Sequence, residues 1–319
     1  MAVSDEVALH PCLSECMKMF QAGEVAIIQD VGYPHPNLSH FESTAIWDSA
    51  NLQGTSSLTG WYGEVVMHNH QAFDNAHFDA AAITFDKNLS FAGGDRVPVL
   101  PVSQNVAAIL RDGTATRAIT QMPGTTMQLA ALVNEGIAVR HRFATRLAGV
   151  QAPQWQPYEE PFEVQTKLTE WFFAHGITTP LVRVNQGGFD THTELLARHS
   201  NLMATFDRGI ARLKQVLVST GTWKDTVIMV HSEFGRRAGE NGFGGTDHGS
   251  SGPVFLIGGR VRGGIYGQRA SLDDLDIEGN LKYTTDFRSV YSTLVDNLWR
   301  LPANPFADAG FGPLSIAVA

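Results

Sequence analysis

The sequence has little with which to staple itself, cross a membrane or dock on a polyanion. Only two of its 319 residues are cysteines, Cys12 and Cys16, four apart in a segment with helical spacing. That spacing suits neither a disulfide within a helix nor a zinc knuckle, so both are expected to be reduced thiols packed as small hydrophobes. No apolar run approaches the ~18 residues of a membrane span, and no charged-then-apolar leader opens the chain. The expectation is a soluble protein, cytoplasmic as the chain stands, with no membrane partner. No basic block or stripe of aromatic and basic residues occurs, and the net charge is −9, so nucleic acid is not an expected partner. Internal repeats and low-complexity tracts are missing. So are the nucleophile elbow, the paired-histidine zinc helix, the P-loop and the dinucleotide fingerprint.

What is present is a globular composition, 43% hydrophobic, ample for one large core or two small ones. Residues 11–23 place Leu13, Met17 and Phe20 at helical spacing and stop at Gly23, a common helix-end residue. Residues 25–28, all apolar, read as a buried strand of the parallel-sheet kind. Prolines 34 and 36 then hold an extended loop, and residues 41–50 turn helical. Residues 61–66 read as a helix start or a substrate-facing wall. His68, His70 and His77 lack regular ligand spacing and read as a polar loop. Residues 80–84 and 97–102 look like strands separated by a Gly-Gly-Asp turn, and 128–147 like one helix broken at Gly136.

Further on, 162–174 reads as a helix, 179–184 as a strand, 194–220 as a long periodic helix closed by Gly221, and 226–230 and 253–259 as buried strands. A last helix opens at 285–291, capped by Thr285 or Asp286. Strands alternating with long helices imply an α/β fold with a largely parallel sheet covered on both faces. The expectation is a single domain over 1–319, with 61–165 as an insertion or cap within it.

Chemistry concentrates where short apolar strands run into glycine-bordered loops: 185–192, 231–236 and 244–249. Ligands in open α/β sheets sit outside the carboxyl ends of the strands. Asp190 and His192 alternate around Thr191, so in an extended segment they point the same way. Carboxylate plus imidazole suits zinc, manganese or iron, and His248 could complete a three-ligand site with an open position. Glu233 adds a carboxylate at or near it, and Arg236 a planar fork suited to phosphate or sulfate. Ser39 has two readings. It is a helix N-cap, with Glu42 three residues on as in a capping box, or a nucleophile at a helix N-terminus, where free N–H groups favour an anion. His35 and His40, as loop histidines, are more often surface or hydrogen-bonded residues than ligands.

Five stretches carry a resemblance: Gly-Tyr-Pro-His-Pro-Asn-Leu-Ser-His-Phe-Glu (32–42), Gly-Gly-Phe-Asp-Thr-His (187–192), Ser-Glu-Phe-Gly-Arg (232–236), Gly-Gly-Thr-Asp-His-Gly (244–249) and Thr-Asp-Phe-Arg-Ser-Val-Tyr (285–291). In this order, and over about 9–299, the chain resembles the DUF1501 family of sulfatase-like proteins in the alkaline phosphatase superfamily. The resemblance implies a doubly wound α/β sandwich and a metal-dependent hydrolase of phosphate or sulfate esters. It aligns Ser39 with the nucleophile; His40 and Arg236 join it as the candidate catalytic residues on this chain's own chemistry. It aligns Asp190, His192 and His248 with one metal, and Glu233 with the place of a second metal's carboxylate. Phe234 stands where that pair would have its histidine, and the superfamily's first strand with its metal-binding Asp would precede residue 9. One divalent metal, zinc first with manganese or iron as alternatives, is therefore expected rather than two. The expected partner is a small anionic ester, and related members are often exported. Two rival readings stay open: a metal-independent carboxylesterase using Ser39, and a member without turnover that binds an anion or a partner.

Overall fold

The computed structural model describes residues 1–54, 59–86, 90–92, 97, 99–102 and 126–316. The expected turn at 93–95 lies outside these. In chain order the elements are α1 (Ser14–Gln21), β1 (Val25–Gly32), α2 (His40–Ser49), α3 (Trp61–His68), α4 (His70–Asn75), β2 (Ala82–Thr84), β3 (Val99–Pro101), α5 (Thr126–Arg146), α6 (Pro161–Ala174), β4 (Val182–Arg183), α7 (Leu195–Ser219), β5 (Val227–Val230), β6 (Gly235–Arg236), β7 (His248–Gly249), β8 (Gly252–Gly258), β9 (Gly264–Tyr266), β10 (Thr285–Asp286), α8 (Phe287–Thr293) and α9 (Pro305–Asp308). They form two compact units, Met1–Ser57 with Gly187–Ala319, and Leu58–Gln186.

The first unit is α/β, but its sheet is mixed, not mostly parallel. β1 runs parallel to β9 and β10 along one edge and antiparallel to β8 along the other, and β8 is antiparallel to β5 as well. The reason lies in the connection. A parallel return needs a long crossover, usually a helix. Between β5 and β8 there is none: the chain folds back through the short antiparallel pair β6–β7 and re-enters the sheet reversed. An apolar run such as 253–259 carries no sign of its direction. β5 is also an edge strand, half-buried along its length, where the sequence reads as fully buried. β1 is an inner strand, as is β8, with Val25 to Ile28 buried. A bulge between Ile28 and Val31 puts Asp30 at φ 46° and bends the strand end into the 33–39 loop.

α1 has no capping side chain of its own. Asp207, buried on α7, serves instead: its carboxylate accepts from the Glu15 and Cys16 N–H groups, both at 2.9 Å, and from Ser14 Oγ at 3.2 Å. That satisfies donors every helix start leaves open and ties two helices distant in sequence. Cys16 is buried and Cys12 half-buried, both free thiols. At the other end of the chain, Asp286 caps α8 by accepting from Arg288 N–H at 3.0 Å.

The second unit holds a three-stranded parallel sheet in the order β3-β2-β4. Ile83 and Leu100 from its strands pack with Val139 and Phe143 of α5, Leu147 just after it, and Leu168 and Phe172 of α6. α5 runs unbroken through Gly136. One helix glycine costs only about 1 kcal/mol, less than the burial of that apolar face contributes. The segment 61–66 is helical, and the strand expected at 179–184 shortens to β4, paired with β2. No helix among the described residues is long and apolar enough to cross a membrane.

Candidate functional site

The loops carrying Asp190 and His192, Glu233 and Arg236, and Asp247 and His248 meet the start of α2 within the first unit. Asp190 is the hub. Its Oδ1 lies 2.9 Å from His192 Nε2, 3.0 Å from His248 Nε2 and 2.7 Å from an Arg236 Nη, and its Oδ2 lies 3.3 Å from His40 Nε2. The Nε2 atoms of His192 and His248 are 3.1 Å apart. Leaving water works against the Asp190 charge, but the hydrogen bonds from Arg236 and His248, with the charges of Arg236 and His192, hold its carboxyl well below the usual carboxylate range.

Each imidazole has its outer nitrogen occupied. His248 Nδ1 is 2.7 Å from the Leu38 carbonyl oxygen, which can only accept, so Nδ1 carries the proton. His192 Nδ1 faces the Asp247 carboxylate at 3.1 Å and His40 Nδ1 faces Glu233 Oε1 at 2.6 Å. Each of these two rings also meets the Asp190 carboxylate through Nε2, so either nitrogen can donate. A neutral ring that donates through Nδ1 leaves its Nε2 lone pair facing Asp190, while a protonated ring donates to Asp190 from Nε2 as well. The donor set of Asp190, His192 and His248 could hold a metal, and so could that of His40, Asp190 and His248, whose ligand atoms lie within 4.8 Å of one another.

The loops have physical reasons to sit here. A Cβ on Gly245 would come within 2.2 Å of the His192 backbone, so only glycine lets the 244–249 loop approach the 187–192 loop. Asn241 sews the two together. Its side-chain amide donates to His192 O at 3.0 Å and Asp247 Oδ1 at 3.2 Å, and its Oδ1 accepts from the Phe243 and Gly245 N–H groups. Burial pushes up the pKa of the Tyr33 hydroxyl, which shares a 2.8 Å bond with Ser43 Oγ. Ser43 in turn donates to the Glu233 carbonyl at 2.6 Å, fixing the 231–236 loop to α2.

The sequence-expected residues divide. Asp190, His192 and His248 come together. Glu233 holds His40 and accepts from Ser232 Oγ at 2.9 Å. Desolvation raises its pKa, but the His40 contact, its own N–H and Ser232 outweigh that and lower it. Arg236 spends its fork internally, donating to Thr246 O at 3.0 Å and Phe189 O at 2.9 Å as well as to Asp190. Ser39 is exposed at the N-cap position of α2, yet its hydroxyl makes no capping bond, so the capping box does not form. Asn37 Oδ1 takes the Ser39 N–H instead, at 2.9 Å. Ser39 follows Leu38, whose carbonyl touches His248, so it sits beside the cluster. Phe234 is buried, its ring 4.5 Å from that of His248 and 4.8 Å from that of His40.

Asn241, Asp247 as a histidine partner, Ser43 and Tyr33 escape sequence reasoning. For Asp247 a signal exists: a carboxylate next to a ligand-type histidine on a glycine loop is a common means of orienting an imidazole. Among curated proteins none matches the chain. The model of the family described as "Protein of unknown function (DUF1501)" matches residues 29–301, most of the chain and all of the residues just described. The chain belongs to the DUF1501 family.

Proposed function

We propose that this protein is a metal-dependent hydrolase of phosphate or sulfate esters, on a sulfatase-like, doubly wound relative of the alkaline phosphatase fold. The observation that carries the reading is the meeting of Asp190 with the Nε2 atoms of His192 and His248 at 2.9–3.0 Å, beside an exposed serine at a helix N-terminus. Arg236 already meets Asp190 Oδ1 from one side, and an ion among the three atoms would take the Nε2 lone pairs as well; mixed oxygen and imidazole donors suit zinc, manganese or iron. Such an ion, when bound, supplies Lewis-acid stabilisation of charge on a phosphoryl or sulfuryl oxygen. Phe234 fills the place of a second metal's histidine with an apolar ring, which favours one ion over two.

Ser39 is the nucleophile in this reading. Its Oγ forms the bond to phosphorus or sulfur as the ester oxygen departs, the hydroxyl proton passing through solvent to that leaving oxygen; water then breaks the new bond to Oγ, its hydroxyl going to the acid and its proton back to Ser39. The first N–H groups of α2 face the anion. Among the described residues no histidine is hydrogen-bonded to Ser39: the rings of His40 and His248 have both nitrogens engaged elsewhere. That favours metal-assisted chemistry over a serine-histidine carboxylesterase.

Ser39→Gly tests the assignment, because glycine is tolerated at N-caps and no side-chain cap is lost here. The variant should fold, keep its metal and lose at least three orders of magnitude in turnover of aryl phosphate and aryl sulfate esters. Turnover near wild type would remove Ser39 from the chemistry.

A further inference from the structure

The outer contacts of the three imidazoles say more than which loops converge. We propose that His40 is a fourth donor to a single ion held with Asp190, His192 and His248, and that Glu233 and Asp247 are positioning residues for His40 and His192 rather than ligands. The inference rests on the metal-site reading above and changes its ligand set.

Three observations carry it. His40 presents Nε2 to Asp190 Oδ2 at 3.3 Å while its Nδ1 is taken by Glu233 at 2.6 Å. His192 repeats the arrangement with Asp247 outside and Asp190 inside, and His248 repeats it with the Leu38 carbonyl outside. An acceptor behind each ring gives Nδ1 a partner for its proton, the tautomer that leaves Nε2 to ligate a cation. Protons could relieve the inner contacts one at a time, whereas one cation relieves them together. The spacing fits as well. Donors about 2.1 Å from a tetrahedral ion lie about 3.4 Å from each other, and the contacts of the three Nε2 atoms with the Asp190 carboxylate span 2.9–3.3 Å.

Glu233 cannot easily be both a ligand and the partner of His40, because its Oε1 is committed to the ring and its Oε2 accepts from Ser232. Its carbonyl is held by Ser43, so the residue is pinned at both ends behind His40. Asp247 is likewise held, by Asn241. The resulting set of three imidazoles and one carboxylate selects a borderline ion such as zinc or cobalt(II) over magnesium or calcium, which require mostly oxygen donors.

The test is titration of the metal-stripped full chain with cobalt(II), read by visible absorption, with zinc competition for affinity. One ion should bind, with the intense band of a four-coordinate site. His40→Gln should weaken binding at least 100-fold and change the band. Glu233→Gln and Asp247→Asn should keep the stoichiometry and band position and lose about 10–100-fold in affinity. In the unmodified chain, which needs no variant to fold, long-range proton–nitrogen spectra should show three histidine Nε2 signals shifting on zinc addition. Two shifted signals, an unchanged His40→Gln titration, or no metal bound by the wild type would each overturn the proposal. A Glu233→Gln band altered as strongly as that of His40→Gln would make Glu233 a ligand and overturn its positioning role. Ester turnover on the same loaded chain separates the two readings. Three shifted histidines without turnover sink the hydrolase and leave the ligand set standing. Turnover with only two shifted does the reverse.

Discussion

Replacing Arg236 by alanine should unsettle the site before it touches any substrate. The guanidinium makes three bonds, to Thr246 O at 3.0 Å, Phe189 O at 2.9 Å and Asp190 Oδ1 at 2.7 Å, and so ties together the two loops that carry Asp190 and His248. Hydrogen bonds to charged groups contribute about 1.5–3 kcal/mol each when buried. Here the Arg236 side chain is 25% exposed and Asp190 48%, so water replaces part of what is lost. About 1 kcal/mol per bond, or roughly 2–4 kcal/mol in all, is the reasonable cost. In a unit of about 190 residues each kcal/mol moves the melting midpoint by roughly 2–4 °C, which gives about 4–16 °C. Arg236→Lys keeps the charge but not the fork and should recover less than half of the loss. The assay is thermal melting by circular dichroism, with KM for an aryl phosphate measured alongside. A guanidinium kept free for the substrate anion would instead leave the midpoint within 1–2 °C and raise KM alone, and that result would refute the clamp.

Two further outcomes follow from the packing of α1. Burial, reinforced by the neighbouring Asp207, pushes the Cys16 thiol far above its ordinary pKa, whereas Cys12 is only half-buried. At pH 8 a thiol reagent should label one cysteine quickly in the native protein and two after denaturation, and rapid native labelling of both would contradict this packing. Asp207→Ala leaves the Glu15 and Cys16 N–H groups without their acceptor and should cost about 2–4 kcal/mol, read by urea unfolding, with any activity per folded molecule unchanged.

What could be read in the sequence, and what could not, divides along physical lines. The existence of β1, α2, α6, α7 and α8 was legible because each is a long periodic or continuous apolar segment with clear punctuation, such as Gly23 after α1 and Asp286 before α8. Asp190, His192 and His248 were legible because metal-capable side chains after strands, on loops with glycines, are unusual enough to stand out. The direction of β8 was not. Buried strands of either sense look alike, and the deciding feature was a connection without a helix. Nor could the spacing of residues show that Glu233 faces His40, that Arg236 is engaged with two backbone carbonyls, or that Asp207 caps a helix whose start lies some 190 positions earlier. Such contacts join residues far apart in the chain, and no local pattern encodes them. Ser39 lies between the two cases: its N-cap position was legible, the absence of its capping bond was not.

The central claim is that ester hydrolysis depends on an ion held around Asp190. The direct measurement is turnover of an aryl phosphate and an aryl sulfate by the full chain as purified, after dialysis against EDTA, and after return of one equivalent of zinc, manganese or iron. The account predicts hydrolysis of at least one ester, its loss on chelation, and its return with the metal in wild type but not in His248→Ala. Hydrolysis that survives complete removal of metal, or a His248→Ala protein that binds metal and turns over like wild type, would contradict it.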